Sequence, residues 1–281
     1  MLTENIDLYA YYGKTRPDGA RGYLTVYVQF QSPEYCQGRL RPAMVVIPGG
    51  GYVMTSDRER EPIALSYLAE GFNCFTLDYS VSPIRYPYQL LEGAMAVAFV
   101  RENAQKYNID PEHIAVIGFS AGGHLAGMLA TMSRDEEIVK FIGESAKNCT
   151  PNGAILSYPV ITSGKSSDGG SINNLSGGNT LVSEKVSLEH RVDSQSVPAF
   201  IWTTADDDGV PSENSLLMAC AYKEANVPFE LHVFEHGCHG LSLANEQTGT
   251  KNADRLQNDE VAQWFALSVK WLKKRGFSVK F

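Results

Sequence analysis

Basic residues are scarce in this sequence, and none of them are gathered into a block. The 281 residues include 24 Lys and Arg against 32 Asp and Glu, which gives a formal net charge of −8. Surfaces that bind nucleic acid or anionic lipid need clustered Lys and Arg to neutralise phosphates. The composition therefore argues against a nucleic-acid partner and against attachment to a membrane surface.

Cysteines are also few, and their spacing is irregular. The five cysteines are Cys36, Cys74, Cys149, Cys220 and Cys238. An odd, scattered set without a Cys-x-x-Cys pair suits neither a disulfide framework nor a structural zinc site. We therefore expect a reduced, cytoplasmic protein without a bound metal. Cys238 directly precedes His239, which could serve as its base, but no other sequence feature indicates that this thiol is a nucleophile.

Long apolar runs are missing too. No stretch reaches the roughly 20 apolar residues that a transmembrane helix needs, and residues 1–7 lack the basic and apolar regions of a secretory signal. Even so, 43% of the residues are hydrophobic, which at this length can form a large core. We expect one domain spanning residues 1–281, and the sequence is compatible with either a monomer or a homo-oligomer.

Short β-rich runs alternate with helical patterns from residue 43 onward. Strands are predicted at residues 23–30, 43–47, 72–77, 114–117, 154–157, 199–203 and 229–234. Helices are predicted at residues 59–70, 89–107, 121–132, 212–225 and 260–275. This order predicts an α/β fold with a mostly parallel central sheet flanked by helices. The alternating apolar and polar residues of 23–30 favour an antiparallel edge strand.

Residues 161–195 break this alternation because they are rich in Ser, Gly and Asn. A connection this long inside a compact domain is more often functional than passive. We interpret it as a small cap insertion over the active site. A disordered surface excursion is the alternative, since the composition is strongly polar.

The clearest motif is Gly-Phe-Ser-Ala-Gly at residues 118–122. It follows a buried strand and precedes a helix, which is the setting of a nucleophile elbow: glycines allow a tight turn that exposes the serine hydroxyl above the sheet. We therefore predict that Ser120 is a catalytic nucleophile. The alternative is a glycine-rich turn with an incidental serine.

A serine nucleophile needs a base, and the base needs an orienting acid. The expected chain order is Ser, then Asp or Glu, then His, with each partner after a strand. Asp206, Asp207 and Asp208 all follow the strand at 199–203, so the acid stays open among them. The histidines near the next strand are His232, His236 and His239. His239 lies well beyond the strand end and precedes a glycine, so we predict that it is the base.

An oxyanion hole requires two backbone N–H donors. Ala121, the residue after the nucleophile, supplies one. The other is expected from Gly50 or Gly51, in the glycine run that follows the strand at 43–47. A phosphate-binding loop is the alternative, but neither Gly-Lys-Ser/Thr nor Gly-x-Gly-x-x-Gly is present.

Together these motifs resemble the bacterial α/β-hydrolase esterases of the acetyl esterase and feruloyl esterase-like group. The resemblance rests on residues 46–52, 77–79, 118–126, 204–211 and 237–240, and it extends over nearly the whole chain. It implies that Asp207, four residues before a Val-Pro proline, is the acid, with Asp206 as the runner-up. It also implies short acyl groups, in particular acetyl esters of small sugars or similar alcohols. We expect Tyr52 and Tyr158, which border the glycine loop and the cap, to bind substrate.

The sequence thus predicts a serine carboxylesterase that needs no cofactor and acts on a small-molecule ester. Relatives are often labelled xylanases, but glycoside cleavage needs two carboxylates flanking the bond, and no such pair accompanies this motif. A peptidase of the prolyl oligopeptidase type is one alternative. A non-catalytic receptor with the same fold is another, although such proteins typically lose a member of the triad.

Overall fold

The structure is a computed structural model, and it describes residues 1–35, 38–251 and 254–281. Cys36 lies outside the described residues. The other four cysteines are free thiols. Within the described residues, no helix has the length and apolar character needed to cross a bilayer.

The described strands form one eight-stranded sheet in the order β1-β2-β4-β3-β5-β6-β7-β8. The strands are β1 (Leu2–Asp7), β2 (Tyr23–Val28), β3 (Arg41–Ile47), β4 (Asn73–Asp78), β5 (Ile109–Phe119), β6 (Gly153–Ser157), β7 (Ala199–Thr204) and β8 (Phe229–Phe234). From β4 to β8 in this order, all neighbours are parallel. The predicted mostly parallel sheet is confirmed.

The expected position of the antiparallel strand needs a correction. β2 is antiparallel to both of its neighbours, but it lies inside the sheet because β1 pairs along its outer side. β1 has the sequence Leu-Thr-Glu-Asn-Ile-Asp and is largely exposed. An edge strand that buries so little has no need of an apolar pattern, which explains why its sequence did not predict a strand.

Helices cover both faces of the sheet. They are α1 (Leu8–Tyr11), α2 (Glu61–Ala69), α3 (Tyr88–Glu102), α4 (Ala104–Tyr107), α5 (Ala121–Met132), α6 (Glu136–Ile142), α7 (Gly169–Ser176), α8 (Thr180–Lys185), α9 (Glu213–Glu224) and α10 (Asp259–Lys274). Alternate residues of β3 enter different cores: Val45 packs with residues of α3 and α5, whereas Val46 packs with residues of α2 and α10. Successive strand residues point to opposite faces, so the sheet is buried on both sides.

The segment 161–195 contains α7, α8 and a 3-10 turn at Leu188–His190. Its apolar side chains Ile172, Leu175, Val186 and Leu188 are buried in the same core as α3 and α5. The segment is therefore packed against the body of the protein through these residues.

Candidate active site

Ser120 occupies a strained turn between β5 and α5. Its backbone has φ 54° and ψ −119°, a conformation that side chains other than glycine rarely adopt. The two motif glycines make this turn possible. A Cβ on Gly118 would lie 2.0 Å from the Gly122 carbonyl oxygen, and a Cβ on Gly122 would lie 2.3 Å from the Ile47 carbonyl oxygen. Both motif positions therefore require glycine, because neighbouring backbone atoms leave no room for a side chain.

His239 links the serine to an acid. Its Nε2 lies 2.8 Å from Ser120 Oγ, and its Nδ1 lies 3.0 Å from each carboxylate oxygen of Asp207. The side chain of Asp207 is only 1% exposed. Its Oδ1 also accepts the N–H groups of Gly209 and Val210, each at 2.8 Å. The carboxylate is therefore fixed by the backbone that follows it.

The two neighbouring aspartates have other partners. Asp206 is 54% exposed and accepts from His236 and from the Gly237 N–H. Asp208 accepts the His239 N–H and pairs with Arg255. The structure thus brings Asp207, rather than Asp206, to the imidazole.

The charges around His239 favour its protonated form. Burial of the ring opposes protonation, but the hydrogen bond and negative charge of Asp207 outweigh it and raise the pKa of His239 above its ordinary value of 6.5. The negative charges of Glu59 and Asp168 add to this effect. Such a setting stabilises the imidazolium that forms when the histidine accepts a proton.

The glycine loop after β3, residues 48–51, lies beside Ser120. A Cβ on Gly49 would stand 3.1 Å from the Ser120 Cβ, and Gly50 has φ +128°. A Cβ on Gly50 would collide with the Met54 carbonyl oxygen at 2.3 Å. Among the hydrogen bonds of the described residues, none uses the N–H of Gly50, Gly51 or Ala121 as a donor. These groups are available to an oxyanion.

A family model described as BD-FAE matches residues 28–221 of the chain. The chain belongs to the BD-FAE family. Endo-1,4-beta-xylanase B of Butyrivibrio fibrisolvens is 40% identical to this BD-FAE protein over 215 residues, which cover 74% of this chain and 33% of that protein. An acetylxylan esterase of Xylanibacter ruminicola is 30% identical over 235 residues, which cover 81% of this chain and 45% of that protein. The BD-FAE chain therefore spans less than half the length of these two curated relatives.

Solved structures match over much more of their length. The acetyl ester-xyloside bifunctional hydrolase from Caldicellulosiruptor lactoaceticus is 37% identical with a TM-score of 0.78, covering 91% of this chain and 89% of that chain. The carboxylesterase Cest-2923 from Lactobacillus plantarum WCFS1 is 28% identical with a TM-score of 0.85, covering 100% of both chains. These findings confirm the α/β-hydrolase fold and the resemblance to esterases. They show that the BD-FAE chain has the fold of these ester hydrolases.

Tyr52 and Tyr158 lie under the site. Tyr52 is fully buried, and its hydroxyl lies 2.8 Å from His124 Nδ1. Tyr158 is also buried; its hydroxyl donates to Glu59, and its ring packs edge-on to that of His239 with 5.0 Å between centroids. Both hydroxyls are buried and bonded within the protein, so the two side chains support the site, and their contact with substrate stays a prediction.

The segment 161–195 touches the site through α7. Asn174 Nδ2 donates to the Gly51 carbonyl oxygen at 2.9 Å, and Ser171 Oγ would lie 3.7 Å from a Cβ on Gly51. Asp168, the N-cap of α7, contributes negative charge at His239. The segment therefore contacts the glycine loop, and the charge of its Asp168 acts on the His239 imidazole.

Other reactive groups near His239 have different surroundings. Burial raises the pKa of the Cys238 thiol, and its Sγ lies 3.3 Å from the Arg255 carbonyl oxygen. A raised pKa favours the thiol over the nucleophilic thiolate. His232 pairs with Glu230 on β8. Among the described residues, no group of three or more His, Cys, Asp or Glu could hold a metal ion.

Glu59 is a member of this site that sequence reasoning missed. It is 3% exposed, and it accepts hydrogen bonds from Gly49 in the glycine loop and from the Tyr158 hydroxyl. In the sequence it stands among charged residues at the start of a predicted helix, where a glutamate is ordinarily solvated. No local pattern distinguishes a glutamate that turns inward.

Proposed function

We propose that this BD-FAE protein is a serine carboxylesterase that hydrolyses short-chain acyl esters, above all acetyl esters of small sugars. The observation that carries the proposal is the hydrogen-bond path from Ser120 through His239 to Asp207. It runs beside three unpartnered N–H groups, those of Gly50, Gly51 and Ala121. Nucleophile, base, orienting acid and oxyanion donors together constitute the requirements of acyl transfer.

The first half of the reaction forms an acyl-enzyme. His239 Nε2 takes the proton from Ser120 Oγ as that oxygen attacks the ester carbonyl. The resulting oxyanion accepts from Ala121 and from Gly50 or Gly51, while Asp207 keeps Nδ1 protonated and stabilises the imidazolium. Collapse breaks the bond to the alkoxy group, which leaves as an alcohol with the proton from His239.

The second half returns the enzyme to its initial state. Water loses a proton to His239 and attacks the acyl carbonyl in the same oxyanion hole. The tetrahedral intermediate then collapses, the carboxylic acid leaves, and Ser120 regains its proton from His239. These steps use only side chains and backbone groups of this chain.

The preference for acetyl esters is supported by relatives whose names carry it. One is an acetylxylan esterase, and a solved structure is an acetyl ester-xyloside hydrolase. We propose that segment 161–195 caps the site and selects the alcohol, because α7 contacts the glycine loop. The scattered free thiols support a cytoplasmic location.

Activity against p-nitrophenyl acetate, butyrate and octanoate, and against acetylated xylose, tests this proposal. We expect the highest kcat/KM for acetyl esters and loss of activity in Ser120→Ala. A fluorophosphonate probe should label the wild type and not the variant. Turnover of aminoacyl amides above esters would favour the peptidase alternative, whereas absence of both labelling and turnover would favour a non-catalytic receptor.

A further inference from the structure

Glu59 lies between the two loops that carry the proposed catalytic groups. Its Oε2 accepts the Gly49 N–H at 2.8 Å, and its Oε1 accepts the Tyr158 hydroxyl at 2.6 Å. Among the described residues, no Lys, Arg or His forms a salt bridge with it. Burying a carboxylate without a cationic partner costs free energy, and the two hydrogen bonds offset part of that cost.

One side of Glu59 anchors the glycine loop after β3, residues 48–51, which carries the proposed oxyanion donors and is called the oxyanion loop below. Gly49 immediately precedes Gly50, whose N–H is a proposed oxyanion donor. The same loop is held on its far side, where Asn174 donates to the Gly51 carbonyl oxygen. The backbone that presents the donors is thus fixed by a side chain at each end, and oxyanion stabilisation depends on such preorganised geometry.

The other side of Glu59 reaches the loop after β8 that carries the proposed base, residues 235–242, which is called the His239 loop below. The Tyr158 hydroxyl, bonded to Glu59, also accepts the Ser242 N–H at 2.9 Å. Ser242 is three residues after His239, and the Tyr158 ring packs edge-on to the imidazole. Ser242 Oγ in turn donates to the Arg58 carbonyl oxygen at 2.7 Å. One carboxylate therefore joins the oxyanion loop to the His239 loop.

The directions of these hydrogen bonds indicate an ionised carboxylate. The Gly49 N–H can only donate. The Tyr158 oxygen accepts from Ser242, and its own hydrogen is donated to Glu59 Oε1. Both carboxylate oxygens are then acceptors, as in the charged form. Burial raises the pKa of Glu59, but both hydrogen bonds oppose that rise.

We propose that Glu59 is a positioning residue that fixes the oxyanion loop and the His239 loop relative to each other. Its negative charge also favours the imidazolium of His239 during the reaction. This inference rests on the proposed esterase function. Asp208 also faces His239, whose backbone N–H it accepts. The negative charges that favour the imidazolium are those of Asp207, Glu59 on the turn before α2, and Asp168 at the start of α7. Removing the charge of Glu59 leaves the other two in place.

The test compares Glu59→Gln with Glu59→Asp, using p-nitrophenyl acetate across a pH series. In Glu59→Gln we expect kcat to fall about tenfold to a hundredfold, because the donor is displaced but kept, whereas losing one outright costs about 10²- to 10³-fold. The acid limb of kcat/KM, where His239 becomes protonated, should also move to lower pH, because one negative charge that favours protonation is gone. Glu59→Asp keeps the charge but is too short to reach both loops, so it should lower kcat and leave the limb unmoved.

Glu92→Gln is the matched control. Glu92 on α3 is also a buried carboxylate, which accepts from Tyr9 and from the N–H and hydroxyl of Ser80. None of its hydrogen bonds reaches the triad. Its replacement should affect stability while leaving kcat within about twofold and the acid limb in place.

A folded Glu59→Gln variant with wild-type kcat and an unmoved limb would overturn the inference. If Glu59→Gln does not fold, the kcat of Glu59→Asp is the deciding measurement. A kcat below that of the wild type supports the inference, and a wild-type kcat overturns it. A wild type that neither hydrolyses esters nor labels with fluorophosphonate would overturn the proposed function itself. If the wild type is active and the Glu59 variants keep its kcat and acid limb, only the role of Glu59 is overturned.

Discussion

Asp207 and Asp206 are adjacent in the chain, but only Asp207 contacts the proposed base. We predict that Asp207→Asn lowers kcat by about 10³- to 10⁴-fold, because an amide cannot stabilise the imidazolium or hold its tautomer. Asp206→Asn is the matched control and should keep kcat within about threefold, since its partners are the exposed His236 and the Gly237 N–H. Steady-state kinetics with p-nitrophenyl acetate, with circular dichroism to verify folding, measures both. Equal losses in the two variants would contradict the assignment of the acid.

These same residues show what a sequence can and cannot predict about a site. The order Ser, Asp, His and the glycine loop were readable because each group follows its own strand. The choice among three adjacent aspartates was not readable from residue chemistry, because it depends on which carboxylate receives the Gly209 and Val210 N–H groups. Glu59 gave no signal at all, since its inward orientation is decided by partners 10 and 99 positions away.

At the scale of elements, apolar runs predicted strand centres better than strand ends. β5 extends over Ile109–Phe119, well beyond its predicted apolar centre at 114–117, and its early part is displaced by an irregularity in pairing with β3. The predicted helix 89–107 is divided into α3 and α4 at Asn103, which serves as C-cap of one and N-cap of the other. Such endings depend on local backbone hydrogen bonds, which hydrophobic periodicity does not encode.

The contact between α5 and the segment 161–195 leads to a prediction about pH and stability. His124 on α5 is buried, and its ring bonds both Tyr52 and the Val186 carbonyl oxygen, so Nε2 carries the hydrogen and Nδ1 accepts. Burial lowers the pKa of His124 to about 4 from its ordinary 6.5. The unfolded state therefore binds this proton more readily, and the associated stability is lost as pH falls from 6.5 toward 4.

We predict that His124→Gln is destabilised at pH 7, but that its deficit narrows by about 3 kcal/mol as pH approaches 4, because only the wild type has this histidine to protonate on unfolding. Urea unfolding of both proteins at several pH values between 7 and 4 gives the two free energies of unfolding. A gap that stays constant with pH would show that His124 is not held in its neutral form.

At the scale of the whole molecule, the site forms where parallel strands end together. The glycine loop follows β3, Ser120 follows β5, Tyr158 follows β6, Asp207 follows β7 and His239 follows β8. The carboxyl ends of parallel strands lie at one edge of a sheet, which gathers groups that are far apart in sequence. The fold thus supplies a rigid frame, and the chemistry depends on the loops after each strand.

This frame also leads to a prediction about glycoside cleavage, an activity that the names of two relatives include, one a xylanase and the other an acetyl ester-xyloside hydrolase. Glycoside hydrolysis requires two carboxyl groups that both reach the sugar, one as acid and one as nucleophile or base. Here Asp207 and Glu59 are buried and fully bonded within the protein. The carboxylates of Asp168 and Asp208 are likewise bonded within the protein. Of the described carboxylates that act on or bond to His239, no pair is left free for the two roles.

We therefore predict that the protein hydrolyses p-nitrophenyl acetate but not p-nitrophenyl β-xyloside at comparable concentrations. Both substrates release the same chromophore, so a single assay measures the two activities, and Ser120→Ala should abolish the first. Xyloside turnover that disappears in Ser120→Ala would mean that the serine site itself cleaves glycosides, against the argument from carboxylates. Xyloside turnover that survives in Ser120→Ala would instead require a second site with its own carboxylate pair. Either result would contradict the prediction, which rests on carboxylates that are bonded within the protein.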